Sequence, residues 1–240
     1  DISRLPTPLL SLENKNQIIR LSRECVRIVR EDWDSYETSW DFTSLPLIEF
    51  HQDSETLEIT FKKLRSHWKK ITNNLLNLEI ENNKVLIDAY GLKDQISPEL
   101  ALDEITLTCN PFYRYKELST DQLKEKRLQS DTIKEFISYS VGCMFGRYSL
   151  DKGGLILADQ GQRLENYFKV VPNTLFIPDD DNIIPILDLD WFEDDITSRF
   201  KKFLKITFGD DNFEDNLRFI EVSIGKNVRK YFLNYFYNDH

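Results

Sequence analysis

Leu57–Ala89, LEITFKKLRSHWKKITNNLLNLEIENNKVLIDA, decides the fold. Leu57, Phe61, Leu64, Trp68, Ile71, Leu75, Leu78 and Val85 recur with alternating gaps of four and three, and Asn82 takes one turn of the same stripe. That is a heptad seam. The spacing predicts one helix about 50 Å long, from a rise of ~1.5 Å per residue, with Gly91 as its C-cap. So narrow a seam is not buried by one helix alone, so a second must pack along it. Thr120–Tyr148 supplies the candidate, with Ile133, Phe136, Ile137, Val141, Met144, Phe145 and Tyr148 on an apolar face.

Working outward, Asn16–Arg30 reads as an amphipathic helix with Ile18, Leu21, Cys25, Ile28 and Val29 on one side. Trp33–Phe42 reads as an ordered loop packed by its own rings. Ser97-Pro98-Glu99-Leu100 is a candidate helix start, and Ile105–Cys109 and Gly154–Ala158 are candidate short strands. Pro172, Pro178 and Pro185 make Asp159–Ile186 a loop. Three helices are predicted from Asp190 onward. The first directs Phe192, Ile196, Phe200, Phe203 and Leu204 inward and stops at Gly209. The second stops at Gly225, and the third starts near Asn227. The expected class is mainly α: a helical bundle with a long heptad-patterned hairpin and minor short β-strands. The expected divisions are 1–56, an N-terminal helix and aromatic loop; 57–158, a hairpin or spacer; and 159–240, an acidic loop before a three-helix subdomain.

Composition narrows function. The 240 residues include 16 Phe, 10 Tyr and 4 Trp, too much aromatic surface for a disordered chain. No stretch reaches the ~18 apolar residues of a membrane span. Only 8 glycines are present, and no two are spaced Gly-x-Gly. A Rossmann-type cofactor loop or a P-loop needs glycines where backbone approaches phosphate, so cofactor chemistry is expected outside this chain. The net charge is −10, but −8 of it falls between Val170 and Ser198, which leaves the rest near neutral and able to carry basic faces. Cys25, Cys109 and Cys143 have no Cys-x-x-Cys spacing and read as free thiols of a reducing cytoplasm. His51, His67 and His240 show no metal-ligand spacing. Both ends of the chain read as cut from a longer polypeptide.

Candidate chemistry is sparse. Thr108-Cys109-Asn110-Pro111-Phe112-Tyr113 approaches the Asn-Pro-Pro-Tyr of amino-group methyltransferases, in which the Asn accepts from the target amine and the ring stacks on a flipped base. Phe112 stands where that turn needs proline, so an Asn-Pro turn ending a strand is the competing reading. The acidic run Asp179–Asp195 suits Mg²⁺ or Ca²⁺, or a solvated loop with Asp188 or Asp190 capping a helix, or a repulsive patch that orients a duplex. Gly142 and Gly146 lie four apart on one face, for close helix or loop approach or as a ligand seat. Arg20, Arg23, Arg27 and Arg30, and Lys62, Lys63, Arg65, Lys69 and Lys70, form two basic stripes that either contact phosphates or are simply outward charged faces. No catalytic, cofactor-binding or metal-ligating residue is assigned.

Four stretches carry a resemblance: Glu31–Phe42 (EDWDSYETSWDF), Phe136–Asp151 (FISYSVGCMFGRYSLD), Arg199–Leu204 (RFKKFL) and Tyr231–His240 (YFLNYFYNDH). They resemble the C-terminal, non-catalytic half of BREX-type adenine-specific DNA methyltransferases, the PglX-like proteins of bacterial phage defence. The resemblance implies an S-adenosylmethionine-dependent adenine-N6 methyltransferase upstream and double-stranded DNA as partner. This chain is then a spacer and target-recognition segment, inactive by itself and without cofactor. The alternative, from a different class, is a helical scaffold that docks other defence-system proteins without touching DNA.

Overall fold

The computed structural model describes residues 8–189, 192 and 194–239. Among these the chain forms ten α-helices and no β-strand. They are α1 (Leu12–Asp34), α2 (Pro46–Glu49), α3 (Leu57–Ala89), α4 (Pro111–Arg114), α5 (Asp121–Met144), α6 (Leu164–Val170), α7 (Ile196–Phe208), α8 (Phe213–Ile224), α9 (Val228–Asn234) and α10 (Phe236–Asp239). The chain divides into two compact units. Asp1–Trp33 and Ser66–Asp121 form the first; Asp34–Arg65 and Gln122–His240 form the second.

In the first unit, α1 buries Leu21 and Ile28, while α3 buries Trp68 and Leu75. Gln17 Nε2 donates to Glu81 Oε1 at 2.9 Å, so α1 lies against the later turns of α3. Beyond Leu75 the α3 stripe is only half-buried, including Leu78, Asn82 and Val85. The helix ends at Ala89: Gly91 adopts φ +68°, and the Leu92 amide donates back to the Ile87 carbonyl, as in a Schellman cap.

Two predicted elements of this unit take another form. Ile105–Cys109 is not a strand, because its amides have nearer partners: Thr108 and Cys109 donate to the Asp32 carboxylate at 2.6 and 3.0 Å. Ser97–Leu100 does not start a helix; Ser97 Oγ accepts from the Glu99 amide in a local turn, and a single 3₁₀ turn follows at Leu102–Glu104.

The second unit holds the larger core. Phe136, Phe200, Phe203, Phe208 and Tyr231 are buried, and Phe136 contacts Phe200, Phe203 and Phe208 with ring centroids 5.5 to 6.0 Å apart. The side chain of Asn216 in α8 starts α3 here, accepting from the Leu57 amide at 2.7 Å. α5 closes at Gly146 (φ +70°), where the Arg147 amide returns to the Gly142 carbonyl. Gly142 serves close approach: a Cβ there would stand 2.5 Å from Tyr148 Cδ2. α7 and α8 stop at Gly209 and Gly225, and Asn227 caps α9 through the Lys230 amide.

Four readings change in this unit. Gly154–Ala158 is not a strand; its amides go singly to Thr43, Arg147, Gly146 and the Gln162 side chain, which builds no ladder. The loop 159–186 contains α6, which buries Tyr167 against Ile156 and Val171. α7 starts at Ile196 rather than near residue 190, because Asp195 caps it through the Ser198 amide at 2.7 Å. Phe192 lies outside the helix and is 61% exposed, while Asp190, named as a cap, lies outside the described residues. In the loop before α2, Trp40 is 92% exposed and Phe42 packs edge-on against Tyr139 of α5 and Tyr148 beyond its end, rather than against rings of its own loop.

Candidate nucleic-acid interface

The nine cations of the two stripes meet different local chemistry. On α1, Arg27 lies between Glu24 and Glu31, with guanidinium contacts of 2.5 and 2.6 Å. Hydrogen bonding to these two carboxylates holds its charge more firmly, and Arg27 in turn lowers the Glu24 carboxyl. Arg20 stands 3.5 Å from Glu81 of α3. Arg23 and Arg30 are exposed and have no ion pair among the described residues.

On α3, Lys62 pairs with Glu58 at 2.5 Å, and Lys63 with Glu55 and Gln52. Arg65 is 8% exposed and grips Glu125 of α5 through two bonds of 2.7 Å. A fork–fork pair of this kind is a structural tie, since separating it would leave a charge in a dry site. Lys69 and Lys70 are exposed, and Lys70 has no ion pair among the described residues. Arg23, Arg30 and Lys70 therefore remain as uncompensated cations, all in the first unit.

Asn110 answers the methyltransferase-like motif. Its side chain is fully buried, and its amide nitrogen donates to the carbonyls of Leu102 and Ile105 at 2.7 and 2.9 Å. Its oxygen accepts from the Phe112 amide at 3.1 Å and caps α4. Both ends of the carboxamide are engaged by backbone and the residue is fully buried, so in this structure it serves as a cap.

The acidic run is partly interior. Asp179 is fully buried, pairs with Arg199 and donates its own amide to the Met144 carbonyl at 2.7 Å. Arg199 also meets Asp194 at 2.5 Å. Asp195 is fully buried and paired with Arg229. Burial opposes its charge, but the Ser198 amide and Arg229 outweigh that and hold its carboxyl below the ordinary value. Asp179, Asp180 and Asp181 bring ligand oxygens within 4.8 Å of one another, with the last two exposed. Arg199 already occupies the buried member.

Beneath the Phe42 loop lies a titratable cluster that spacing did not reveal. Burial raises the Glu37 carboxyl despite hydrogen bonds from Ser138 and Tyr148 and the nearby Arg147. Burial likewise raises Tyr139 and Cys143, whose side chains also bond each other. None of Cys25, Cys109 and Cys143 forms a disulfide, and Cys109 and Cys143 are buried. Among the described residues no helix is long and apolar enough to cross a membrane.

With this geometry the chain is homologous to one stretch of adenine-specific methyltransferases. It is 34% identical over 244 residues to the adenine-specific methyltransferase BrxX of Escherichia coli O9:H4 (strain HS), covering 94% of this chain and 19% of that protein. It is 36% identical over 222 residues to the adenine-specific methyltransferase PglX of Lacticaseibacillus casei (strain Zhang), covering 90% and 17%. The chain thus spans about a fifth of the length of the curated relatives it matches. No family model matches it.

Proposed function

We propose that this chain is the non-catalytic spacer and DNA-recognition segment of an S-adenosylmethionine-dependent adenine-N6 DNA methyltransferase of bacterial phage defence, working in the cytoplasm on double-stranded DNA. The homology to one stretch of BrxX and PglX supports the parent class. The observation that carries the non-catalytic role is Asn110, whose carboxamide is spent on Leu102, Ile105 and Phe112. The methyl donor then belongs to the larger part of such an enzyme. Arg23, Arg30 and Lys70 make the phosphate contacts, because a cation without a carboxylate partner gives up least on meeting a phosphate. Such contacts position a duplex and carry no sequence information themselves.

Calorimetric titration with S-adenosylmethionine tests the first half: no saturable heat is expected, and a clear isotherm overturns the reading. For the second half, Arg23→Glu with Arg30→Glu is expected to abolish duplex binding, while unchanged affinity removes these residues from the interface.

The scaffold reading has its own support. Arg20, Arg27, Lys62, Lys63 and Arg65 are each matched by carboxylates, which leaves modest net positive charge for nucleic acid. Intact binding of partner proteins together with no duplex binding at low salt would favour it.

A further inference from the structure

α1 has two apolar rows. Leu21 and Ile28 form the inner one, at 0% and 4% exposure. Leu12, Ile19, Val26 and Trp33 form another, each seven residues from the last, at 76%, 37%, 58% and 55% exposure. At ~100° per residue, spacing by seven keeps the four side chains on one face, roughly opposite Leu21 and Ile28. A surface helix normally keeps one apolar stripe, on its core side. Here the core side is already filled, and the outer row adds a Trp to three aliphatic side chains. Single exposed apolar residues need no explanation, but an aligned row of four marks a contact surface.

The flanks define what fits. Four residues after Ile19 and Val26 come Arg23 and Arg30, the two α1 arginines without an ion pair among the described residues. The opposite side of the row carries Lys15, Ser22 and Val29 and, further round, Ile18, Cys25 and Asp32, whose carboxylate already accepts from Thr108 and Cys109. A second copy of α1 would therefore bring no available carboxylate to the arginines. A phosphate backbone would meet the arginines but leave the apolar row against water.

We propose that the outer face of α1 docks an amphipathic helix of another protein, one with an apolar heptad stripe flanked by Glu or Asp. The row buries against the partner's stripe, and Arg23 and Arg30 pair with its acidic flank and fix orientation. This goes beyond the reading above, and it makes duplex and helix competitors for the same two arginines.

The test uses this chain and a labelled synthetic four-heptad helix with Leu and Ile in its stripe and Glu on both flanks, beside a twin with Lys on the flanks. The acidic helix is expected to bind saturably, with Trp33 emission shifting to the blue, and the basic twin at least about tenfold more weakly. Val26→Asn, an exposed change that keeps the circular dichroism intact, is expected to cost about tenfold for the acidic helix and nothing for duplex. Arg23→Glu with Arg30→Glu should reverse the preference to the basic twin. Equal binding of both helices, no binding of either, or indifference to Val26→Asn overturns the proposal. So does a dimer of the wild-type chain in sedimentation that Val26→Asn dissolves. No duplex binding by the unmutated chain, with the helix preference intact, would instead overturn the DNA reading.

Discussion

Replacing Gly142 with Ala sets two effects against each other. Gly142 lies in α5, where Ala is better than Gly by about 1 kcal/mol on helix propensity. An exposed glycine would follow that rule and gain stability. This one faces the Tyr148 ring, and the Cβ of an alanine would stand 2.5 Å from Cδ2 and 2.9 Å from Cε2, where ordinary contact begins at 3.4 Å. The ring has little room to retreat. It is 1% exposed, stacks on Tyr139 at 5.1 Å and meets Phe42 edge-on at 5.4 Å. Overpacking of this kind costs about 1–3 kcal/mol, plus repacking of the neighbouring rings. With the ring held on both sides, the clash outweighs the propensity gain, for a net loss of up to about 2 kcal/mol. Urea unfolding reads it as a lower midpoint at unchanged slope. Near-ultraviolet circular dichroism should report disturbed tyrosine packing. A Gly142→Ala chain with an equal or higher midpoint would refute the close-approach role of this glycine.

Asn110→Ala should destabilise the chain by about 2–4 kcal/mol, since it removes a helix cap and leaves the buried Ile105 carbonyl and the part-buried Leu102 carbonyl short of a donor. A thermal melt unchanged from wild type would return Asn110 to the candidates for chemistry. Glu37→Gln bears on pH. Burial raises the Glu37 carboxyl, so the folded chain holds the proton more tightly than the unfolded chain, and stability falls as pH rises through the carboxylate range. Gln keeps a neutral amide there, so the variant should be more stable than wild type at neutral pH. The difference should close below the ordinary value of ~4.3. A gap that instead widens on acidification would contradict the burial of that carboxyl.

Helix existence was legible wherever periodicity was long or punctuation was sharp. α3 shows its stripe over many turns, and Gly91, Gly209 and Gly225 mark stops where left-handed or otherwise unusual backbone follows. The short apolar runs misled. Ile105–Cys109 has strand composition, but what decides its backbone is the Asp32 carboxylate, 76 residues from Thr108. Helix starts suffered likewise, since α7 begins where Asp195 caps and not where the hydrophobic spacing begins.

The candidate interface divides along the same line. Glu58 with Lys62 and Arg27 with Glu31 are one helical turn apart, and that spacing announces their pairing. Arg65 with Glu125 and Arg20 with Glu81 are pairings between helices, and only the fold reveals that those cations are spoken for. Asn110 is the same lesson in reverse: its sequence neighbours suggest chemistry, while its hydrogen bonds show a cap.

Anisotropy of a labelled duplex, titrated with this chain across a salt series, bears most directly on the recognition role. Three phosphate contacts from Arg23, Arg30 and Lys70 should give a linear fall of log affinity against log salt with slope of roughly −2.7, at about −0.9 per contact. Arg23→Glu with Arg30→Glu should abolish the binding. A chain that binds no duplex even at low salt, or whose affinity ignores salt, would contradict it.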